Sequence, residues 1–252
     1  MNSKISKKTP IITAVLPCRV FSTRLFAKPL QLVGKFTILE LLVEQIKKSK
    51  RIDNIVLAIA KTPGSDLFVD FAKKFNLKFV LGDEIDVLSR LILGAKKTHA
   101  NIVFRTTSEN PFIYWEGIDK LIQDHISGNH DFSFYKDLPI GASYEIINLK
   151  SLEITHKLGN SKHRSEYSTL YFYENPEKFS INPIFPNKSL QFPKIRLTVD
   201  TPEDLILARI IHEELGKNTN PIKLEKIIQF LNSNKKIMKI NSNISLKYKR
   251  YL

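Results

Sequence analysis

Residues 14–30 read Ala14-Val15-Leu16-Pro17-Cys18-Arg19-Val20-Phe21-Ser22-Thr23-Arg24-Leu25-Phe26-Ala27-Lys28-Pro29-Leu30. The apolar run from Ile11 to Leu16 has the length of a buried strand, and Pro17 stops it. A loop follows in which Arg19, Arg24 and Lys28 are interleaved with the hydroxyls of Ser22 and Thr23. Cations and backbone amides leaving the end of a buried strand together suit a polyphosphate. Taken alone, the stretch reads equally as a solvated basic turn, so its surroundings must decide.

Downstream, Ile38, Leu39, Leu42, Val43 and Ile46 recur at helical spacing, and Lys47, Lys48 and Lys50 would face the negative end of the dipole. This predicts a helix over Phe36 to Lys50. Asn54 to Ala60 is an unbroken apolar run too short for a helix, as in a strand covered on both faces. Thr62-Pro63-Gly64-Ser65 breaks it and offers Ser65 as a cap for a helix over Asp66 to Phe75. A strand over Leu77 to Leu81, a helix over Asp86 to Lys97 and a strand over Asn101 to Phe104 continue the alternation. That order points to a parallel sheet with helices on both faces.

The third buried strand ends in Arg105-Thr106-Thr107-Ser108-Glu109-Asn110-Pro111. Ligands of open α/β sheets bind outside the carboxyl ends of strands, so this cluster and the basic loop can share one rim. A helix over Gly117 to His125 and a strand over Asp131 to Tyr135 are expected next. Between Pro139 and Lys188 the pattern is less regular. Ala142 to Asn148 reads as a strand, Leu149 to Lys157 as a helix, and Lys162 to Tyr173 holds a dense polar set. Pro183, Pro186 and Pro193 predict an extended connector. The sheet pattern resumes at Ile195 to Val199 and ends in Asp200. Thr201 then fits an N-cap, with Pro202 first and Asp204 third in a helix to about Leu215. A last helix spans Leu224 to Leu231. The expected organisation is a basic tail over 1–10, one domain over 11–234 and a basic segment over 235–252. Residues 136–193 form a small protruding excursion for acceptor binding or dimerisation.

The 252 residues, 42% apolar and 25% charged, suit a globular domain with a sizeable core. No apolar run approaches the ~20 residues that span a bilayer, and no signal peptide is expected. A single cysteine, Cys18, excludes an intramolecular disulfide and fits a reducing cytoplasm. The net charge of +14 is concentrated at the ends. Lys4, Lys7 and Lys8 lie at one, and Lys235, Lys236, Lys239, Lys247, Lys249 and Arg250 at the other. Without those nine cations the body carries about +5, which argues against nucleic acid as the partner.

Two acids stand at strand ends, Glu109 and Asp200. An acid opposite a cationic loop is what a Mg²⁺–nucleotide site requires, because the metal takes one or two carboxylates and leaves its other positions to phosphate and water. Other templates fail. The nine glycines form neither a dinucleotide loop nor a Walker-type Gly-Lys-Ser/Thr sequence, and one cysteine cannot supply a zinc set. A glycosyltransferase consuming a nucleotide sugar would show Asp-x-Asp at a strand end, and none is suitably placed. His163, in Lys162-His163-Arg164-Ser165-Glu166, fits an anionic acceptor or the plain surface equally.

Several stretches together resemble the cytidylyltransferase family of sugar activators, closest to its spore-coat polysaccharide branch and related to the synthetases of CMP-activated acidic sugars. The family opens with a strand and Ala-Arg-x-Gly-Ser-x-Arg-Leu-Pro-x-Lys. Arg19, Ser22, Arg24, Leu25 and Lys28 match, while Phe21, Phe26 and Ala27 replace glycine, proline and glycine. Asp86-Val87-Leu88-Ser89-Arg90 is similar to the branch's Asp-Val-Leu-x-Arg, and Arg105 to Pro111 stands where it has Arg-Ile-Thr-Gly-Asp-Cys-Pro. Glu145 and Glu166 fall at glutamates of two further patterns. Asn175 to Phe179 and Leu197 to Leu205 are close to unmodified, and Ile240-Asn241-Ser242-Asn243 has a counterpart near the branch's end.

The resemblance implies a Rossmann-like, nucleotide-diphospho-sugar-transferase-type three-layer sandwich with a mixed sheet. It implies that Arg19, Ser22, Arg24, Lys28 and Arg105 hold a nucleoside triphosphate, CTP before GTP or another base. Lys28 and Arg24 would act on the phosphates, and Glu109 and Asp200 would bind Mg²⁺. Glu145, His163, Arg164 and Glu166 would meet the acceptor, a sugar acid or sugar phosphate, in surface glycan synthesis. Glu109 replaces an aspartate, and Ser165 and Tyr167 replace an arginine and a histidine, so a catalytically degenerate nucleotide-binding relative is the alternative.

Overall fold

A computed structural model describes residues 9–22, 24–216 and 221–244. The basic tail up to residue 8, the hydroxyl of Thr23 and the basic end from residue 245 lie outside the described residues. The chain begins with strand β1 (Ile12–Cys18), and a small hairpin, β2 (Leu32–Val33) and β3 (Phe36–Thr37), leads into helix α1 (Ile38–Ile46). Then come β4 (Asn54–Ala60), α2 (Asp66–Lys74), β5 (Lys78–Gly82), α3 (Val87–Lys97), β6 (Ile102–Arg105), α4 (Ile118–Ser127) and β7 (Phe132–Tyr135). After β8 (Glu145–Asn148) lie α5 (Leu149–Leu158), α6 (Ser161–Arg164), α7 (Leu170–Glu174) and β9 (Ile181–Ile184). Helices α8 (Pro202–Leu215), α9 (Leu224–Ser233) and α10 (Lys235–Met238) complete the fold.

Seven strands form one sheet in the order β5-β4-β1-β6-β8-β7-β9, in which β8 alone runs antiparallel to its neighbours. β1 lies inside the sheet, with Val15 opposite Val56 on one side and Arg105 on the other. Its side chains alternate between two cores. Ile12, Ala14, Leu16 and Cys18 pack with residues of α1, α2, α4, α8 and α9, whereas Val15 packs with those of α3, α5 and α7. The result is a three-layer mixed α/β sandwich. Helix α3 crosses β1 so closely that a Cβ on Gly94 would come within 2.6 Å of Val15 Cγ1. Among the described residues no helix is long and apolar enough to cross a membrane.

The chain winds from β1 through β4 to β5 on one side and returns to β6 on the other. The carboxyl ends of β1 and β6 therefore flank the topological switch point, where such sheets open a crevice.

Several elements differ from the sequence expectation. The helix expected from Phe36 starts at Ile38, because Thr37 and Glu40 form a capping box and residues 36–37 pair with 32–33. Ser65 precedes α2 without a side-chain cap bond. The strand expected over 142–148 is confined to Glu145–Asn148. Ile195 to Val199 is extended but joins no sheet; it touches Ile140 through one isolated bridge, and the Val199 N–H donates to the Glu109 carbonyl at 3.1 Å. The proline-rich connector conceals β9, which tolerates Pro183 at the sheet edge. The 136–193 stretch feeds β8 and β9 into the central sheet, and its helices α5 and α7 pack Leu152 and Phe172 into the core beneath it.

Candidate functional site

Beyond β1 the chain turns back on itself. Val20 is buried, and its carbonyl accepts the Ala27 N–H at 3.0 Å, closing the loop. Ala27 adopts the left-handed region, with φ 44 and ψ 45, and a 3-10 turn over Lys28–Leu30 follows. This is one of the two positions where the resembling family carries glycine; the other, Phe21, has no positive φ and stands half exposed, edge-on to Phe26. An alanine held left-handed costs roughly 1–2 kcal/mol, partly offset by the extra unfolded-state freedom of glycine. Ala27→Gly is accordingly expected to raise the melting temperature by a few degrees, about what 1 kcal/mol gives at this size. A lowered melting temperature in a thermal scan would refute the strain.

The loop aims its cations at Asp200, at the entrance to α8. Lys28 Nζ lies 2.5 Å and Arg24 Nη2 3.1 Å from Asp200 Oδ1, while Arg196 Nη2 lies 2.8 Å from Oδ2. The Lys28 and Asp200 side chains are only 10% and 19% exposed, so these pairs are shielded from water. Burial alone would raise the Asp200 pKa; the Lys28 bond and charge, with Arg24 and Arg196, overcome it and hold the carboxyl below its ordinary value.

The second wall follows β6. Ser108 Oγ donates to the Pro17 carbonyl at 2.7 Å and ties this segment to the end of β1. Glu109 is partly buried, and its pKa is raised by that burial and by the charge of Asp200, against a smaller opposing effect of Lys28. No ion pair reaches Glu109 among the described residues, whose acids and histidines form no three-ligand metal cluster. Two carboxylates facing one cleft, one of them without an ion pair, nevertheless fit a hard cation that takes its remaining oxygens from phosphate and water.

Arg19, Ser22, Arg24, Lys28, Arg105, Glu109, Glu166 and Asp200 all line a single cleft of about 800 Å³. Arg19 Nη2 reaches across it to Glu166 Oε2 at 3.2 Å, both side chains being about half exposed.

Three residues expected to meet an acceptor are not among those lining the cleft. Glu145 is buried, takes the Arg105 guanidinium at 2.8 Å and accepts from Thr169 Oγ1 at 3.0 Å. It thus fixes Arg105, which also donates to the Glu166 carbonyl at 3.3 Å. His163 is buried, closes a capping box with Asn160 and pairs with Glu174 at 2.6 Å. Arg164 donates to the His156 carbonyl at 3.0 Å. These side chains hold the 145–174 region together. Sequence alone could not separate them from Glu166, because all four sit in one polar run or in a matching motif.

Conversely, Arg90 received no role from the sequence but forms part of the wall. It is fully buried in α3 and donates to the carbonyls of Asp83 at 2.5 Å and Glu84 at 2.8 Å, shaping the turn before the helix. Burial lowers its pKa. Its signal was present in Asp86-Val87-Leu88-Ser89-Arg90. Tyr167 and Ser108 also line the cleft.

A switch-point cleft with a cationic loop after β1, one acid after β6 and another at the entrance to α8, on a seven-stranded mixed sheet, is the architecture of Rossmann-like nucleotidyltransferases. Residues 13–244 match the family model described as cytidylyltransferase. The chain belongs to the cytidylyltransferase family and is a nucleotidyltransferase. It is 33% identical over 238 residues to an uncharacterized protein of Methanocaldococcus jannaschii, covering 94% of this chain and 96% of that one. It is 26% identical to the spore coat polysaccharide biosynthesis protein SpsF of Bacillus subtilis, over 88% of this chain and 95% of the other. The structure of a cytidylyltransferase from Leptospira borgpetersenii serovar Hardjo-bovis is 25% identical and superposes with a TM-score of 0.83, over 94% of this chain and 99% of that one.

Proposed function

We propose that the protein transfers the cytidylyl group of CTP to a sugar acid or sugar phosphate, releasing pyrophosphate, as a step in making surface polysaccharide. Family membership supports the nucleotide, and the name of the Bacillus relative supports the polysaccharide. The observation that carries the reading is the convergence of Lys28 and Arg24, each within 3.1 Å of the same Asp200 oxygen, in the cleft. A triphosphate is the ligand whose charge would take both cations over from Asp200.

In this mechanism an acceptor oxygen, hydroxyl or phosphate, forms a bond to the α-phosphorus as the bond to the bridging oxygen breaks. The electron pair leaves on pyrophosphate, and a hydroxyl acceptor gives up its proton to solvent or to the departing pyrophosphate, whereas a phosphate acceptor attacks already ionised. Lys28 and Arg24 neutralise the charge growing on the departing phosphates, with Arg19, Ser22 and Arg105 placing the chain of phosphates. Glu109 and Asp200 would hold a divalent cation, Mg²⁺ by choice, which supplies further charge neutralisation on the phosphoryl oxygens. Glu166, freed from Arg19, would meet the acceptor together with Tyr167, both of which line the cleft.

Mixing the protein with Mg²⁺, CTP and a panel of sugar acids and sugar phosphates should release pyrophosphate with at least one acceptor, and much less with GTP or ATP. CTP binding without turnover on any acceptor would favour a non-catalytic relative; release with another base alone would overturn the choice of CTP.

A further inference from the structure

The end of the described chain reaches back to the side chains that hold Asp200. Asn241 lies beyond α10, in the stretch that reads in sequence as a basic end segment, yet it is only 3% exposed. Its side-chain amide donates to the Arg196 carbonyl at 3.1 Å and to Asp204 Oδ1 at 2.8 Å. Asp204, itself buried, receives Arg196 Nε on Oδ1 at 2.9 Å. On Oδ2 it receives Arg196 Nη2 at 3.1 Å and the backbone N–H groups of Asp200 and Thr201 at 3.0 and 3.1 Å. The same Arg196 Nη2 then holds Asp200 Oδ2 at 2.8 Å.

The two oxygens of Asp200 therefore face different partners. Oδ2 belongs to the clamp, and Oδ1 belongs to Lys28 and Arg24, the cations that a triphosphate would claim. If ligand binding takes those cations, only the clamp keeps the carboxylate in place.

We infer that Asn241 is a positioning residue of the nucleotidyltransferase site, acting through Asp204 and Arg196 to keep Asp200 oriented while its Oδ1 changes partners. The inference rests on the reading of Asp200 given above. It makes the C-terminal segment part of the reaction centre, although Asn241 itself touches no substrate. Asparagine suits the post because one neutral amide donates both bonds. Aspartate there would set an unpaired charge beside buried Asp204, and alanine would leave the Arg196 carbonyl and Asp204 Oδ1 each short of a donor.

The test uses Asn241→Ala and Arg196→Lys in the full chain, each checked by thermal melting. The lysine variant keeps a cation near Asp200 but cannot fork to Asp204 as well. In Asn241→Ala, amide hydrogen exchange at Asp200 and Thr201 is expected to quicken at least tenfold relative to the α8 interior. Turnover should drop about tenfold or more, with CTP affinity in the absence of divalent cation within twofold of the parent. Arg196→Lys should show the same split, and Asn241→Gln, which keeps the amide, should recover part of the turnover. A folded Asn241→Ala with parental turnover, or with unaltered exchange at those two amides, would overturn the inference. So would a loss confined to melting temperature. A parent that releases no pyrophosphate from any nucleotide fails the functional reading itself, and this inference falls with it; an active parent beside an unaffected variant fails the inference alone.

Discussion

Lys28→Ala is expected to weaken CTP binding about a hundredfold. Lys28 is buried nearly to its tip, held by the 3-10 turn that Ala27 opens, and its ammonium pairs with Asp200. A charge-assisted hydrogen bond shielded from water is worth roughly 1.5–3 kcal/mol, which corresponds to about 10- to 150-fold in affinity. The substitution removes a cation aimed at the phosphates and leaves Arg24, one-third exposed, as the remaining loop partner of Asp200. Calorimetric titration with CTP checks it directly, and an unchanged dissociation constant would remove this loop from the phosphate site. Arg24→Ala serves as the comparison and should cost less, since a more exposed pair is worth less.

Asp200→Asn should reduce pyrophosphate release at least a hundredfold, the scale on which single preorganised charges act in transition states. Its effect on binding should have the opposite sign when divalent cation is absent. The asparagine no longer competes for Lys28 and Arg24, so CTP affinity measured with a chelator present should stay level or tighten. The fold should survive, because Arg196 keeps its two bonds to Asp204. Retained turnover would exclude Asp200 from the reacting centre. Weakened binding without metal would overturn the idea that the carboxylate occupies the place of the phosphates.

The alternation of short apolar runs and helical periods made the first half of the sheet legible, and β4 falls where the apolar run Asn54–Ala60 lies. Strands buried on both faces announce themselves in composition alone. The second half was harder for a physical reason. β8 was expected, but it is only four residues long and begins three residues later than the sequence suggests, and β9 is an edge strand broken in pattern by Pro183, so it carries no period that a window can detect. Conversely, Leu197 and Val199 are buried like strand residues, but they are paired through loops rather than a sheet. The basic loop and Glu109 were legible because strand ends in such sheets converge on one rim; Asp200 reaches the same cleft from a segment that joins no sheet. The division of the polar 145–166 region was not, since whether a glutamate faces solvent, substrate or an arginine depends on packing. Glu145 and Glu166 differ by that alone. Asn241 received no role because a neutral amide in a lysine-rich segment offers no charge or period to read; its one signal was the family counterpart of Ile240-Asn241-Ser242-Asn243.

The bridge between Arg19 and Glu166 has a consequence for how fast the protein can be loaded. Both partners are about half exposed, and such a pair contributes at most about 1 kcal/mol. That energy corresponds to a population ratio of roughly five to one, so the bridge stands open for about a sixth of the time or more. Exposed side chains exchange rotamers in picoseconds to nanoseconds. An arriving nucleotide meets a mouth that has opened and closed many times within one encounter, and entry is paced by diffusion and charge.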